Sequence, residues 1–133
     1  MSFKNILRGS AVAIALILTG TATLSAADAA PKPSGKWKLH FDHWAESDGD
    51  LVLRIAPVQG DPVDVTVKVP KGTTENTAAD LTAGSLKGAL GGGYKVEVDD
   101  GEEVVIKAKG KTPKFVVTMP GAVNGLNVKI KRS

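Results

Sequence analysis

The amino-acid sequence predicts an α+β domain, mainly antiparallel sheet of about seven short strands, with one helix packed on a sheet face. Three observations predict it. Apolar and polar residues alternate with period two in several short runs bounded by glycine, proline and aspartate, the pattern of half-buried strands. One stretch, residues 74–90, repeats its apolar residues at helical spacing. The connections are short, which favours hairpins over the long crossovers that parallel strands need. At the centre lies a β-α-β-β unit over residues 63–108, in which each local signal agrees with its neighbours.

The first 29 residues read as a secretory signal peptide and stand apart from the fold. Lys4 and Arg8 give a positive start, residues 11–18 are uninterrupted apolar, and small residues crowd toward Ser25-Ala26-Ala27-Asp28-Ala29-Ala30. The apolar run is short of the ~20 residues that span a bilayer, so an uncleaved anchor is the lesser alternative. Cleavage is expected after Ala27 or Ala29, giving a periplasmic or secreted protein with no membrane span after cleavage. Residues 30–35, with Pro31, Pro33, Ser34 and Gly35, read as a flexible lead-in, and residues 36–133 as a single domain.

In the first strand, residues 36–43, Trp37, Leu39 and Phe41 alternate with Lys36, Lys38, His40 and Asp42. Ser47-Asp48-Gly49-Asp50 is a turn by composition. Leu51, Leu53 and Ile55 then point inward, and Gly60-Asp61 sits in a second hairpin turn. Val63, Val65, Val67 and Val69 alternate with Asp64, Thr66 and Lys68.

The hydroxyl of Thr73 or Thr74 is expected to cap the helix, Glu75 suits the positive end of its dipole, and Gly91 ends it. Its apolar stripe is Ala79, Ala83, Leu86 and Leu90. Gly84 and Gly88 each cost up to ~1 kcal/mol relative to alanine, and close packing on the sheet is the expected reason for them. Strands at 94–98 and 104–108 flank Asp99-Asp100-Gly101, where Asp-Gly is a hairpin signal. Phe115, Val117 and Met119 face inward in the next strand, residues 120–125 turn, and Leu126, Val128 and Ile130 close the domain.

Composition excludes several functions. The leader takes Lys4, Arg8 and Asp28 of the 17 basic and 14 acidic side chains with it, so the net charge falls from +3 to about +2. Basic and acidic residues are interspersed, without the continuous basic face and stacking aromatics that nucleic acid requires, so no nucleic-acid partner is expected. With no cysteine, no disulfide supports the fold in an oxidising compartment and no thiol serves as nucleophile.

Metal chemistry has one candidate region, His40, Asp42 and His43, with Asp48 and Asp50 as possible oxygen donors. In a regular strand His40 and Asp42 share a face while His43 points the other way, so the plainer reading is a solvated face followed by an acidic turn. Asp99-Asp100-Gly101-Glu102-Glu103 invites an acid–base reading, yet a hairpin tip solvates its carboxylates. No serine stands in a nucleophile elbow, and Gly91-Gly92-Gly93 follows a helix instead of preceding one.

The expectation is therefore an exported, non-enzymatic binding or structural domain, with no cofactor, meeting a protein or cell-envelope partner. Its contact surface would be an exposed strand edge or the neighbourhood of Trp37 and Trp44. The alternatives are a divalent-metal protein using the His40–His43 region, and a small hydrolase using Asp99 and Glu102 or His40 and His43. A histidine within hydrogen-bond reach of a carboxylate inside a pocket would favour the hydrolase.

Overall fold

The alternation of the sequence becomes seven antiparallel strands and one α-helix in the computed structural model, which describes residues 32–133. The expected leader, residues 1–29, lies outside the described residues. In chain order the elements are β1 (Lys36–His43), β2 (Gly49–Pro57), β3 (Val63–Val69), α1 (Glu75–Leu90), a 3-10 turn (Gly91–Gly93), β4 (Tyr94–Asp99), β5 (Glu103–Ala108), β6 (Phe115–Gly121) and β7 (Leu126–Arg132). Backbone pairing begins before β1, because Ser34 bridges Phe115 and the Ala108 N–H donates to the Gly35 carbonyl at 2.8 Å. No helix among the described residues is long and apolar enough to cross a membrane.

The strands divide between two sheets. One has the order β4-β5-β1-β7, the other β3-β2-β6. The inner face of the first carries Trp37, Leu39 and Phe41 with Val96, Val104 and Ile106, all buried; the second contributes Leu51, Leu53, Ile55, Val65, Val67 and Val69. All belong to a single apolar core. Trp37 ties the sheets together, its indole N–H donating to the Phe115 carbonyl at 2.7 Å from a side chain only 3 % exposed. A buried indole without such a partner would carry a desolvation penalty of about 1–3 kcal/mol.

Helix α1 spans the two sheets instead of covering one, packing against β3 of the smaller sheet and β4, β1 and β5 of the larger. Its buried residues are Ala78, Ala79, Thr82, Ala83 and Leu86. Small side chains keep the helix axis near the strands, so alanines fill this face. Thr74 holds the N-cap position without a side-chain cap bond, unlike the expected hydroxyl cap: its Oγ1 turns to Thr77 Oγ1 at 3.2 Å. The Thr73 hydroxyl instead donates back to the Pro70 carbonyl at 2.6 Å. Gly91 ends the helix at φ +69°. The expected reason for Gly84 and Gly88 does not hold, since among the described residues a Cβ at either would meet nothing within 4 Å.

Register fixes the outer, solvent face of the four-stranded sheet. One row runs Asp99, Glu103, His40, Lys129 across β4, β5, β1 and β7; the next runs Glu97, Val105, Lys38, Lys131. The turn between β4 and β5 has three residues, Asp100, Gly101 and Glu102, closed by the Asp99–Glu103 pair, and it reverses the chain with positive φ at Asp100 (51°) and Gly101 (78°).

Candidate functional site

Two places bring chemistry-bearing side chains together. The first is the end of β1. His43 adopts a left-handed backbone, φ 65°, which histidine tolerates better than most side chains, and its N–H donates to Asp42 Oδ1 at 3.0 Å. This kink releases the chain from the sheet and turns Trp44 outward, 56 % exposed. The backbone on both sides is fixed. Trp44 bridges Thr74, the Ala45 N–H donates to the Thr73 carbonyl at 2.9 Å, and the Gly72 N–H donates back to Ala45 at 2.7 Å. The Glu46 N–H reaches the Asn124 carbonyl at 2.8 Å, and Ala45 itself is buried.

Gly125 completes the clamp. A Cβ there would lie 2.4 Å from Glu46 Cγ and 2.7 Å from the Trp44 carbonyl oxygen, and its φ of +87° already favours glycine. The His43 ring stands edge-on to the indole, centroids 6.3 Å apart. Together with Asp42, Gly72, Thr74 and Glu75 these two rings line an open recess of about 330 Å³. It offers an aromatic plate beside two carboxylates, a surface suited to contact.

The second place lies on the outer face of the four-stranded sheet. His40 Nδ1 is 3.1 Å from Glu103 Oε2, and Lys38 Nζ is 3.5 Å from Glu103 Oε1. The hydrogen bond from His40 holds the Glu103 carboxyl below its ordinary range; desolvation opposes it, and Lys38 adds a lesser lowering effect. A recess of about 350 Å³ opens here, lined by these three side chains with Lys129, Lys131, Arg132 and Ser133.

The expected metal set does not assemble. His40 is engaged with Glu103, whereas His43 Nε2 lies 3.8 Å from Asp42 Oδ2 at the strand end. Among the described residues the acidic or imidazole group whose ligand atoms lie within 4.8 Å of one another is Asp99, Asp100 and Glu103, without His40, Asp42 or His43. Of the expected hydrolase carboxylates Asp99 joins that group and Glu102 does not. Glu103 is already bonded to His40, which leaves Asp99 and Asp100 as exposed turn carboxylates. The expected contact surface divides as well: Trp37 belongs to the core and Trp44 alone faces solvent.

Sequence reasoning missed the His40–Glu103 pair. Strand alternation places both on an outer face, but a contact across 63 residues depends on the register of β1 against β5. The chain matches no family model, and no curated protein or solved structure is significantly similar to it.

Proposed function

We propose that this chain is an exported, non-enzymatic binding domain that acts in the periplasm or outside the cell, with the Trp44 recess as its contact surface for a protein or for the cell envelope. The observation that carries this is the exposed, backbone-clamped indole. Aromatic side chains dominate interface energetics, and an anchor whose backbone is already ordered loses little entropy when it binds. Single exposed apolar residues are ordinary, and Val58 is as exposed as Trp44. Trp44 differs in being seated between paired backbone segments and beside the carboxylates of Asp42 and Glu75.

Co-sedimentation of the protein with the envelope fraction of its host tests the proposal. Trp44→Ala should weaken binding by about 30-fold, the equivalent of a 2 kcal/mol anchor. Val58→Ala should bind as the parent does. Equal sedimentation of parent and Trp44→Ala would remove the proposal.

One observation favours a second reading, a small hydrolase. The His40–Glu103 pair in its recess has the base-and-orienting-carboxylate geometry of general-base catalysis. The side chains around it are mostly cations, which suits holding an anion and supplies no activated nucleophile. Hydrolysis of an activated ester that disappears in His40→Ala would support catalysis; turnover unaffected by that change would count against it.

A further inference from the structure

Among the described residues, the outer strands of the four-stranded sheet, β4 and β7, each pair on one side only, and their open edges fit one another. From this we infer that the protein associates head to tail with further copies of itself, the β4 edge of one copy adding to the β7 edge of the next. Four consecutive antiparallel strands leave the outer two running in opposite directions. A second copy laid alongside in the same orientation therefore presents its β4 antiparallel to the first copy's β7.

The backbone groups are placed for it. The Ser133 N–H donates to Lys36, so Lys131 and Lys129, which share its alternation, also bond toward β1. That leaves Val128 and Ile130 with N–H and C=O directed outward. On the other side the Ala108 N–H points to Gly35 and away from β4, so Lys107, Val105 and Glu103 are the residues of β5 that bond to β4. Their partners Lys95, Glu97 and Asp99 bond back, and Val96 and Val98 are left facing out.

Continuing the existing rows across the junction sets the register. The row Val98, Val104, Leu39, Ile130 places Ile130 opposite Val98 of the second copy, both with free backbone groups. The charged rows then place Lys129 opposite Asp99 and Lys131 opposite Glu97 of the second copy. Both are non-hydrogen-bonded positions, where Cα atoms approach to ~4.5 Å and side chains meet most closely. Slipping by two residues would set Lys131 against Lys95 in one direction, or Lys129 against Gly101 in the other, and keep only one of the two opposite-charge pairs. Val98, 38 % exposed on a strand whose Val96 is buried, would be covered by half-buried Ile130.

Charged edge strands commonly guard against sheet-to-sheet association. Here the guard works between like edges, lysine against lysine or carboxylate against carboxylate, and reverses between unlike ones. The resulting contact is heterologous, so it propagates into a ring or a filament instead of closing as a two-fold dimer.

Sedimentation velocity of the protein over a concentration series tests this. The parent should show mass rising with concentration, suppressed at ~1 M salt, where the Debye length falls to ~3 Å. K129E/K131E and E97K/D99K should each stay monomeric, and mixing them should restore association, because each then meets the opposite charge at both edges. Ile130→Pro removes an outward N–H, a change an edge strand tolerates, and should also block association while circular dichroism and melting confirm the fold. A parent that is monomeric throughout would overturn the inference. So would association indifferent to the charge swaps, or mass growth only on adding an unrelated extended peptide.

Discussion

Gly84 and Gly88 sit on the exposed side of α1 with open space where each Cβ would be. Replacing both with alanine should therefore stabilise the protein. Glycine inside a helix costs about 0.5–1 kcal/mol relative to alanine, mainly through the freedom it loses on folding. Neither site has a positive φ, so alanine enters without backbone strain, and no neighbour must move. The two changes should add to about 1–2 kcal/mol, and at roughly 4–8 °C per kcal/mol for a domain of this size the melting temperature should rise by ~4–16 °C. Thermal unfolding followed at the helical band measures it, with each single variant alongside. Close packing of the helix on a sheet at these glycines predicts the opposite sign, so a melting temperature lowered in either single variant would refute the geometry.

Other perturbations test the core and the charged face. Leu86→Ala, at a fully buried position in the helix stripe, should cost about 2–5 kcal/mol in denaturant unfolding, whereas Thr118→Ala on β6 should cost well under 1 kcal/mol; equal losses would mean the facing is wrong. Among the described residues the buried Thr82 hydroxyl has no hydrogen-bond partner, so Thr82→Val, which keeps the shape, should be neutral or raise stability by about 1 kcal/mol, and a loss of that size would show the hydroxyl is bonded. Glu103 has a lowered folded pKa, caused first by His40, so it contributes stability above the ordinary carboxylate value of ~4.3 and loses it as pH falls through the lower folded value. The stability gap between the parent and Glu103→Gln should accordingly shrink as pH is lowered below ~4.3; a gap constant with pH would refute the pairing with His40.

The strands were legible because each shows one face to the core. Trp37, Leu39 and Phe41 in β1 and Val65, Val67 and Val69 in β3 announce period two, and all six are buried. The same alternation placed Trp37 inward, which is the signal that separates it from Trp44 as a contact residue. What alternation leaves open is partnership. β1 pairs with β5 and β7, both far along the chain, and nothing in residues 36–43 distinguishes those partners from β2, which follows it. The division into two sheets, the helix lying across both, and the His40–Glu103 contact all depend on that choice. The glycines of α1 mislead for a related reason: a small residue marks a close approach only on the buried face, and Gly84 and Gly88 lie on the opposite, exposed side. The clamp on Trp44 was hidden too, since it needs Thr73, Thr74, Asn124 and Gly125 brought from two distant turns.

Tryptophan quenching tests the role of Trp44 most directly, because the chain holds two tryptophans in opposite settings, Trp37 buried in the core and Trp44 facing solvent. In the free protein a neutral collisional quencher should reach one emitting population and spare the other, and Trp44→Phe should leave only the spared one. On adding the host envelope fraction the reachable population should become protected as the protein is bound. Bound protein whose Trp44 emission is quenched as readily as before would contradict the assignment of this recess as the binding surface.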